Sequence, residues 1–564
     1  MTMTAESPRK QAEKRLASLK NERSSWEPGW RELSDFIQPL RSRVLCDDTN
    51  RGDRTTNKII NNTATMANRT QASGMVSGIT SPARPWFNLK PVARAIMEFG
   101  PVKSWFYECT QRMRDVFLRS NLYQVLPTCY LEMGSFGTGC IWVDEDPVTV
   151  IRCEAFTIGE YYVANGASGR VDSIYVEFKW TANQLAEKYG RDVLSPTTKS
   201  LLDGNNGDTL ISCVQMVEPN RSHDPNKRGA RNMPFKSLVW ECGAPGDMVL
   251  EHRGYHEFPA MVPRWDLLPG DAYGYGPGKV SLGDNKALQL LERRAARMVD
   301  TGSNPPLQAP AELKGMPSSA IPGGVTYVPM IGGQNQMTPI YEPNPAWLNP
   351  VEAKIQQHAA RINQAFFADL FLMVSQLDTV RTATEIAARK EEKMLMLGPV
   401  LERINDELLD PLIDRTFNIM LRQSLPIWQG IIEGEPLLPE PPEELMQTEI
   451  QAEYVSILAQ AQKSLNVTGL ERFAAFAGNL SGAFPEVRDK LNADQMVDEY
   501  ADAIGAVPTV VRGDDEVDAI RQQRNQQAQM QQAAQAIGST IQGAKLLSET
   551  EVTPDNALGR MLGG

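Results

Sequence analysis

The chain is 564 residues long and has a formal net charge of −12, with 57 Lys and Arg against 69 Asp and Glu. At roughly 150 residues per domain this length favours several domains or one large multi-part subunit, and 41% hydrophobic with 22% charged residues excludes wholesale disorder. The acidic balance argues against holding nucleic acid by net charge, though not against enclosing it.

No run of 18 or more apolar residues occurs, so no transmembrane helix is expected. Residues 1–20 are polar and lack an apolar core, so they do not read as a signal peptide. The seven cysteines (46, 109, 129, 140, 153, 213 and 242) are odd in number and form no C-x-x-C. They read as buried free thiols in a protein made in a reducing compartment, not as disulfides or a zinc site.

In chain order, the first third reads as helices. Arg9–Ile37 has a broken amphipathic pattern with Leu16, Leu19, Trp26, Trp30 and Leu33, and Asn57–Ile79 spaces Ile59, Ile60, Met66 and Met75 among small residues. Val102–Arg119 and Leu122–Phe136 follow. The period then changes to two. Ile174, Val176, Phe178 and Trp180 share one strand face, and Asn165-Gly166 and Ser168-Gly169 supply turns. Further strands fit Leu210–Val217, Ser237–Cys242 and Met248–His252, with a short helix at Ala182–Tyr189. Pro147–Pro263 is therefore a β-rich insertion. Its loop Arg221–Arg231, with Arg221, Lys227, Arg228 and Arg231, reads as a solvated hairpin tip, with a subunit contact as the lesser alternative.

Helix returns at Gly278–Val299, with an apolar stripe (Leu288, Leu291, Ala295, Met298) and a basic one (Lys279, Lys286, Arg293, Arg297). Between Gly302 and Pro345, 15 of 44 residues are Pro or Gly, which no helix tolerates. The short apolar runs Val325–Met330 and Met337–Tyr341 make this a structured loop domain. Asn349, Pro350 and Glu352 then offer a cap, a first-turn proline and an acidic first turn for a long amphipathic helix from Val351 to Leu377. After a break at Gln376–Thr382, helix resumes over Ala383–Arg422, with kinks expected at Pro399 and Pro411. Pro426–Pro442 reads as a linker, Glu443–Tyr500 as helix, and the Gln-rich Arg521–Gln542 as frayed or disordered without partners.

Enzyme signatures fail in turn. Gly278-Lys279 lacks both the earlier glycine and the following Ser or Thr of a phosphate loop. Gly74-Met75-Val76-Ser77-Gly78 puts its serine one place too late for a nucleophile elbow. The four histidines show no metal spacing beyond His252 and His256, which lie in strand and turn. Trp86, Trp105, Trp142 and Trp180 read as core aromatics. No catalytic residue, metal site or cofactor is expected.

Five stretches in order carry a resemblance: Thr70–Phe87 (TQASGMVSGITSPARPWF), Asn121-Leu122-Tyr123 with Gly134–Gly139 (GSFGTG), Pro263-Arg264-Trp265 with Tyr273–Pro277 (YGYGP), Arg381–Ile386 (RTATEI), and Glu453–Gln462 (EYVSILAQAQ). Together they resemble the head-to-tail connector, or portal, proteins of short-tailed bacteriophages. Gly276-Pro277 departs from the family's more usual Arg-Ser-Pro-like ending. The resemblance implies an α+β, predominantly helical portal-type subunit. Its parts would be a wing at 1–276 (β-rich at about 147–263), stem helices at 277–301 and 346–376, a Pro/Gly-rich clip at 302–345, a tunnel loop at 377–382, a long kinked wing helix at 383–424, a crown at 425–525 and a Gln-rich tail at 526–564, as barrel helix or disordered.

It further implies a twelve-subunit ring at one capsid vertex of the virion, assembled in the host cytoplasm. Double-stranded DNA would pass through it. Terminase, tail adaptors, capsid and scaffold proteins would be its partners, with no membrane. Leu377, Asp378, Thr379, Val380, Arg381 and Thr382 would form the constriction. From the stem, Lys286, Arg293 and Arg297, with Arg294 on the adjoining face, are candidates to face DNA. Another phage ring protein, such as a tail adaptor, and an enzyme with a diffuse nuclease or NTPase site remain alternatives.

Overall fold

A computed structural model describes residues 7–39, 58–91, 100–310, 325–328, 338–339, 344–375, 397–445, 450–454, 473–480, 484, 486, 492–504 and 517–530. The fold is mixed α+β, mostly helical with antiparallel sheets. It divides into two compact units, one of residues 1–88, 110–439 and 454–462, the other of 89–109, 440–453 and 463–564.

The first unit begins with α1 (Pro8–Ser24) and α2 (Glu27–Phe36). The expected single N-terminal helical stretch is broken because Pro28 opens a new first turn. Next come α3 (Thr63–Gly78), strand β1 (Phe87–Pro91, of which 89–91 belong to the second unit), α4 (Gly100–Arg119, of which 110–119 belong here) and α5 (Leu122–Phe136). α3 starts six residues later than Asn57, where the Asn61 carboxamide oxygen accepts from the Thr63 amide at 2.9 Å. Its expected apolar stripe is only half right. Met75 and Ile79 are buried, whereas Ile60 and Met66 are exposed. The buried face is made instead of Ala64, Ala67, Asn68, Gln71, Ala72 and Gly74, side chains small or hydrogen-bonding enough for close helix contact.

β2 (Ile141–Asp146), β3 (Val150–Ala155) and the later β9 (Ala260–Met261) form a small antiparallel sheet in the order β3-β2-β9. The main antiparallel sheet is β4 (Tyr161–Asn165), β5 (Val171–Thr181), β6 (Leu210–Pro219), β7 (Phe235–Glu241) and β8 (Glu251–Tyr255), in sequence order. The β4–β5 turn falls on Gly166–Gly169 as expected; β8 lies three residues beyond the expected Met248–His252. α6 (Ala182–Tyr189), opened by a Thr181–Gln184 capping box, and α7 (Pro196–Asp203) lie between β5 and β6.

Both faces of this sheet are covered near β5. Ile174 and Val176 face the main core, while Tyr175, Met216, Leu238 and Trp240 pack under Ala12, Leu16 and Leu19 of α1. Two buried arginines pin α1 there. Arg9 donates to the Met248 and Ala244 carbonyls at 2.8 and 3.0 Å, and Arg23 donates to those of Gly159 and Tyr161 while lying over the Tyr162 ring.

α8 (Pro277–Ser303) is followed by β10 (Leu307–Pro310), β11 (Val325–Val328) and β12 (Thr338–Pro339). These make a three-stranded mixed sheet in which β10 pairs with β11 in parallel and with β12 antiparallel. The long helix expected next is interrupted. It starts at Leu348, after a 3-10 turn at Pro345–Trp347, with no side-chain cap from Asn349. It ends at Ala365 as α9, and α10 (Ala368–Ser375) follows Phe367, whose φ of +54° breaks the helical ladder.

From residue 397 the chain is helical again, passing through a π-helical turn at Asn405–Leu409 into α11 (Asp410–Trp428). The disturbance expected at Pro411 is this wider turn, with the Asp410 amide donating to the Asn405 carbonyl five residues back. α11 runs six residues past Arg422, carrying Pro426 inside it, into the expected linker.

In the second unit, β13 (Ile450–Tyr454) pairs with β1, where helix had been expected. Residues 473–480 and Ala493–Ile504 are helical. Residues 517–530 also form a helix, with exposed side chains, against the expectation of disorder. Arg521 from it makes two 2.7 Å contacts to Asp494. The remainder of the Gln-rich stretch lies outside the described residues, as do Cys46, most of 302–345 and the restart at Ala383. Cys109, Cys129, Cys140, Cys153 and Cys213 are buried free thiols, but Cys242, after β7, is exposed.

Candidate functional site

Three of the five signature stretches meet in one buried hub of the first unit. α3 supplies Asn68, whose carboxamide donates to Ser135 Oγ at 2.7 Å and to the Leu131 carbonyl at 3.2 Å on α5. Glycine is required at Gly134, because a Cβ there would overlap the Asn68 side-chain oxygen. Gly74 on α3 likewise admits Phe371 of α10.

The turn that ends α5 locks into the stretch before α8. Gly137 caps α5 with φ +87°. Its carbonyl accepts from the Trp265 amide at 2.9 Å, the Gly139 amide donates to the Pro263 carbonyl at 2.9 Å, and the Gly274 amide donates to Thr138 Oγ1 at 2.8 Å. Gly276-Pro277, where the sequence departs from the usual family ending, opens α8, with Pro277 in its first turn.

Arg264 is the polar centre of the hub and is 1% exposed. Its Nε lies 3.1 Å from both carboxylate oxygens of Glu407, and its backbone amide donates to Glu407 Oε2 at 2.8 Å. The other guanidinium nitrogens donate to Asn165 Oδ1 at 3.0 Å and the Gly169 carbonyl at 3.1 Å, both at the β4–β5 turn. Glu407 sits in the π-helical turn, and the neighbouring Asp406 pairs with Arg170. A second buried guanidinium, Arg415 of α11, donates to the Val143 carbonyl at 2.8 Å and pairs with Glu257, which also holds Arg422 at 2.6 Å. In the sequence Arg264 stands out only as part of a motif, and nothing there marks Glu407 as its partner or pairs Arg415 with Glu257.

α8 and α9 pack side by side. Asp284, two turns into α8, meets His358 at 2.7 Å and Arg361 at 3.5 Å in the second half of α9. The opposite flank of α8 is a polar stripe. Asn285 donates to the Phe36 carbonyl at 2.8 Å, Gln289 Oε1 accepts from the amides of Ile60 and Asn61, and Glu292 accepts from the Asn61 side chain.

The candidate basic stripe divides along the helix. Lys286 pairs with Glu32 of α2 at 2.9 Å, and Arg293 donates to the Lys58 carbonyl at 3.3 Å. Arg294 and Arg297 are exposed and make no ion pair among the described residues. Lys279, exposed at the start of α8, lines a cleft of about 300 Å³ with Trp26, Trp30, Asp271 and Tyr275. The constriction candidates Leu377, Asp378, Thr379, Val380, Arg381 and Thr382 lie outside the described residues.

The buried thiols of Cys129 and Cys140 are pushed well above their ordinary range by burial, so they are neutral and inert. No group of three His, Cys, Asp or Glu able to hold a metal occurs among the described residues. The buried charges are spent on joining elements.

A family model described as bacteriophage head to tail connecting protein matches residues 9–511. The chain belongs to that family. It is a structural, non-enzymatic portal protein at the head–tail junction of the phage virion, in a family that forms an oligomeric ring at a capsid vertex.

The head-to-tail connecting chain is 42% identical over 556 residues to the portal protein of Salmonella phage epsilon15, covering 98% of each. It is 38% identical over 557 residues to a probable portal protein of Bordetella phage BPP-1, covering 99% of this chain and 98% of that one. The portal protein of Pseudomonas phage phiKMV is 25% identical over 415 residues, 71% of either chain. Among solved structures, a chain from the neck of an empty GTA particle aligns over 74% of this chain and 86% of its own, at 12% identity and a TM-score of 0.31.

Proposed function

We propose that this portal protein assembles as a ring of twelve copies around an axial channel for double-stranded DNA. In this reading α8 and α9 are the stem, residues 302–345 the clip that docks terminase and then tail adaptors, and 377–382 the tunnel loop. The sheets and helices before α8 form the wing, 383–424 the long wing helix, 425–525 the crown and 526–564 the tail or barrel. Capsid and scaffold proteins contact the outside.

The observation that carries it is the packed pair α8 and α9 on either side of a small mixed sheet. A wall that lets a polyanion slide has to avoid gripping it. Twelve copies at −12 sum to −144, which repels phosphate and keeps counterion-release binding weak. Of the four candidates, Lys286 and Arg293 are engaged within the subunit, which leaves Arg294 and Arg297 to steady DNA. Electron microscopy of the purified protein tests the reading. Twelve-fold rings with an axial channel are expected, and a monomer or a ring without a channel overturns it.

A further inference from the structure

The Arg221–Arg231 loop is an exposed tip between β6 and β7, as expected, and it is also clasped. Asn232 is its clasp. Its carboxamide nitrogen donates to the Asp224 and Lys227 carbonyls, both at 2.6 Å, and its oxygen accepts from the Asp224 amide at 3.0 Å. At the base, Asn220 donates to the Met233 carbonyl at 3.0 Å, and its amide donates to the Pro234 carbonyl at 2.7 Å. The loop is held by amides and carbonyls, so its cations are not needed to hold it.

Those cations are concentrated. Residues 220–234 contain Arg221, Lys227, Arg228 and Arg231 against Asp224, a net of +3, so the rest of the chain carries −15. Asp224 pairs with Lys227 at 3.3 Å, whereas Arg221, Arg228 and Arg231 are exposed and make no ion pair among the described residues. The positive field reaches β8. His252 is held below its ordinary pKa by burial, then by Arg231 and Lys236.

The chemistry of a partner follows from what the tip lacks. Stable protein contacts centre on buried aromatic or large aliphatic anchors. The exposed residues beside the arginines are Ser222, Pro225, Asn226, Gly229 and Ala230, none of them such an anchor. Phosphate-backbone contacts need only displayed cations, and a pre-ordered loop lowers the entropy lost on binding.

We propose that the 220–234 tip is a sequence-independent contact for the phosphate backbone of duplex DNA lying outside the channel. The proposal rests on the reading of the chain as a ring that handles duplex DNA. A ring repeats the tip once per subunit, so individually weak contacts add through a shared DNA segment.

The test uses covalently closed circular duplex DNA, which has no end to thread through a ring, beside linear duplex, with the assembled full-length protein at 50 and 200 mM NaCl. Wild type should retain the closed circle at 50 mM and lose it steeply by 200 mM. The Arg221→Gln/Arg228→Gln/Arg231→Gln variant should bind it at least tenfold more weakly, its log–log salt slope falling by about 2.7 for each engaged tip, three lost charges at ~0.9 each. Arg228→Gln alone should lower the slope by about 0.9 per tip and serves if the triple variant does not assemble. Equal affinity and slope in wild type and variants overturn the proposal. Retention of linear but not closed-circular DNA by wild type also overturns it while leaving the channel reading intact. Binding of polyglutamate without binding of the closed circle overturns it in favour of an acidic protein partner. Failure of the ring reading shows separately, as the absence of a channel in micrographs.

Discussion

Arg264 shows what single residues do in this protein. A guanidinium 1% exposed is tolerable only because Glu407, Asn165 and the Gly169 carbonyl surround it. Removing one partner strands the other charge in a dry site, which costs about 3–5 kcal/mol, whereas replacing both by apolar groups of similar volume costs far less. Arg264→Met should therefore lower stability by that amount in denaturant melts, and Arg264→Met/Glu407→Met should recover most of it. A double variant as unstable as the single one would show that the pair is not a coupled unit. Gly134→Ala presses a methyl group against Asn68 and should cost about 1–3 kcal/mol by overpacking, measured in the same way. The sequence showed glycine-rich stretches here and could not show their cause. Gly134 and Asn68 are 66 residues apart, and only packing makes them neighbours.

At the scale of elements, α8 is the organiser. One flank carries Asp284 to α9, and another carries Asn285 to the end of α2 and Gln289 and Glu292 to the segment before α3. Gln289 satisfies two backbone amides and, through Nε2, the Asn61 carbonyl at 2.6 Å. Gln289→Ala leaves these groups without their partner, at about 1–3 kcal/mol for each buried one. It should loosen residues 58–62, seen as faster tryptic cleavage after Lys58; an unchanged rate would show that the segment is held elsewhere. Polar residues at 285, 289 and 292 follow helical spacing, but spacing alone does not tell a buried polar flank from a solvated one. The Phe366–Phe367 break was not legible, because the apolar period continues across it and Phe367 is no helix breaker by propensity. β13 was missed although Ile450-Gln451-Ala452-Glu453-Tyr454 alternates apolar and polar: five residues at the edge of a longer helical pattern are too few to separate strand from helix, and pairing with β1 decided the outcome.

For the whole molecule the prediction concerns DNA. Shortening 377–382 should impair DNA packaging or retention, assayed by genome content of particles, while leaving ring assembly intact. Loss of the ring would remove the tunnel-loop assignment. Exchanging Arg294 and Arg297 for Gln should change the salt sensitivity of DNA retention more than the same exchange of Lys286, whose charge is already paired with Glu32. Equal effects would argue against the split of the stripe.

The sequence by itself determined the helical elements of the first third, the change of period at the β-rich insertion, the Pro/Gly-rich interruption between two helices and the family. All of these are local patterns or ordered short matches, and local stereochemistry is enough to write them. Only the tertiary structure decided which charges are engaged. It paired Arg264 with Glu407 across 143 positions, turned Lys286 toward Glu32, sealed the second face of the main sheet with α1, and clasped the 220–234 tip while leaving its arginines exposed. The reason is physical: a cation has the same character in the sequence wherever it stands, and its role depends on the burial and partners that distant segments bring to it.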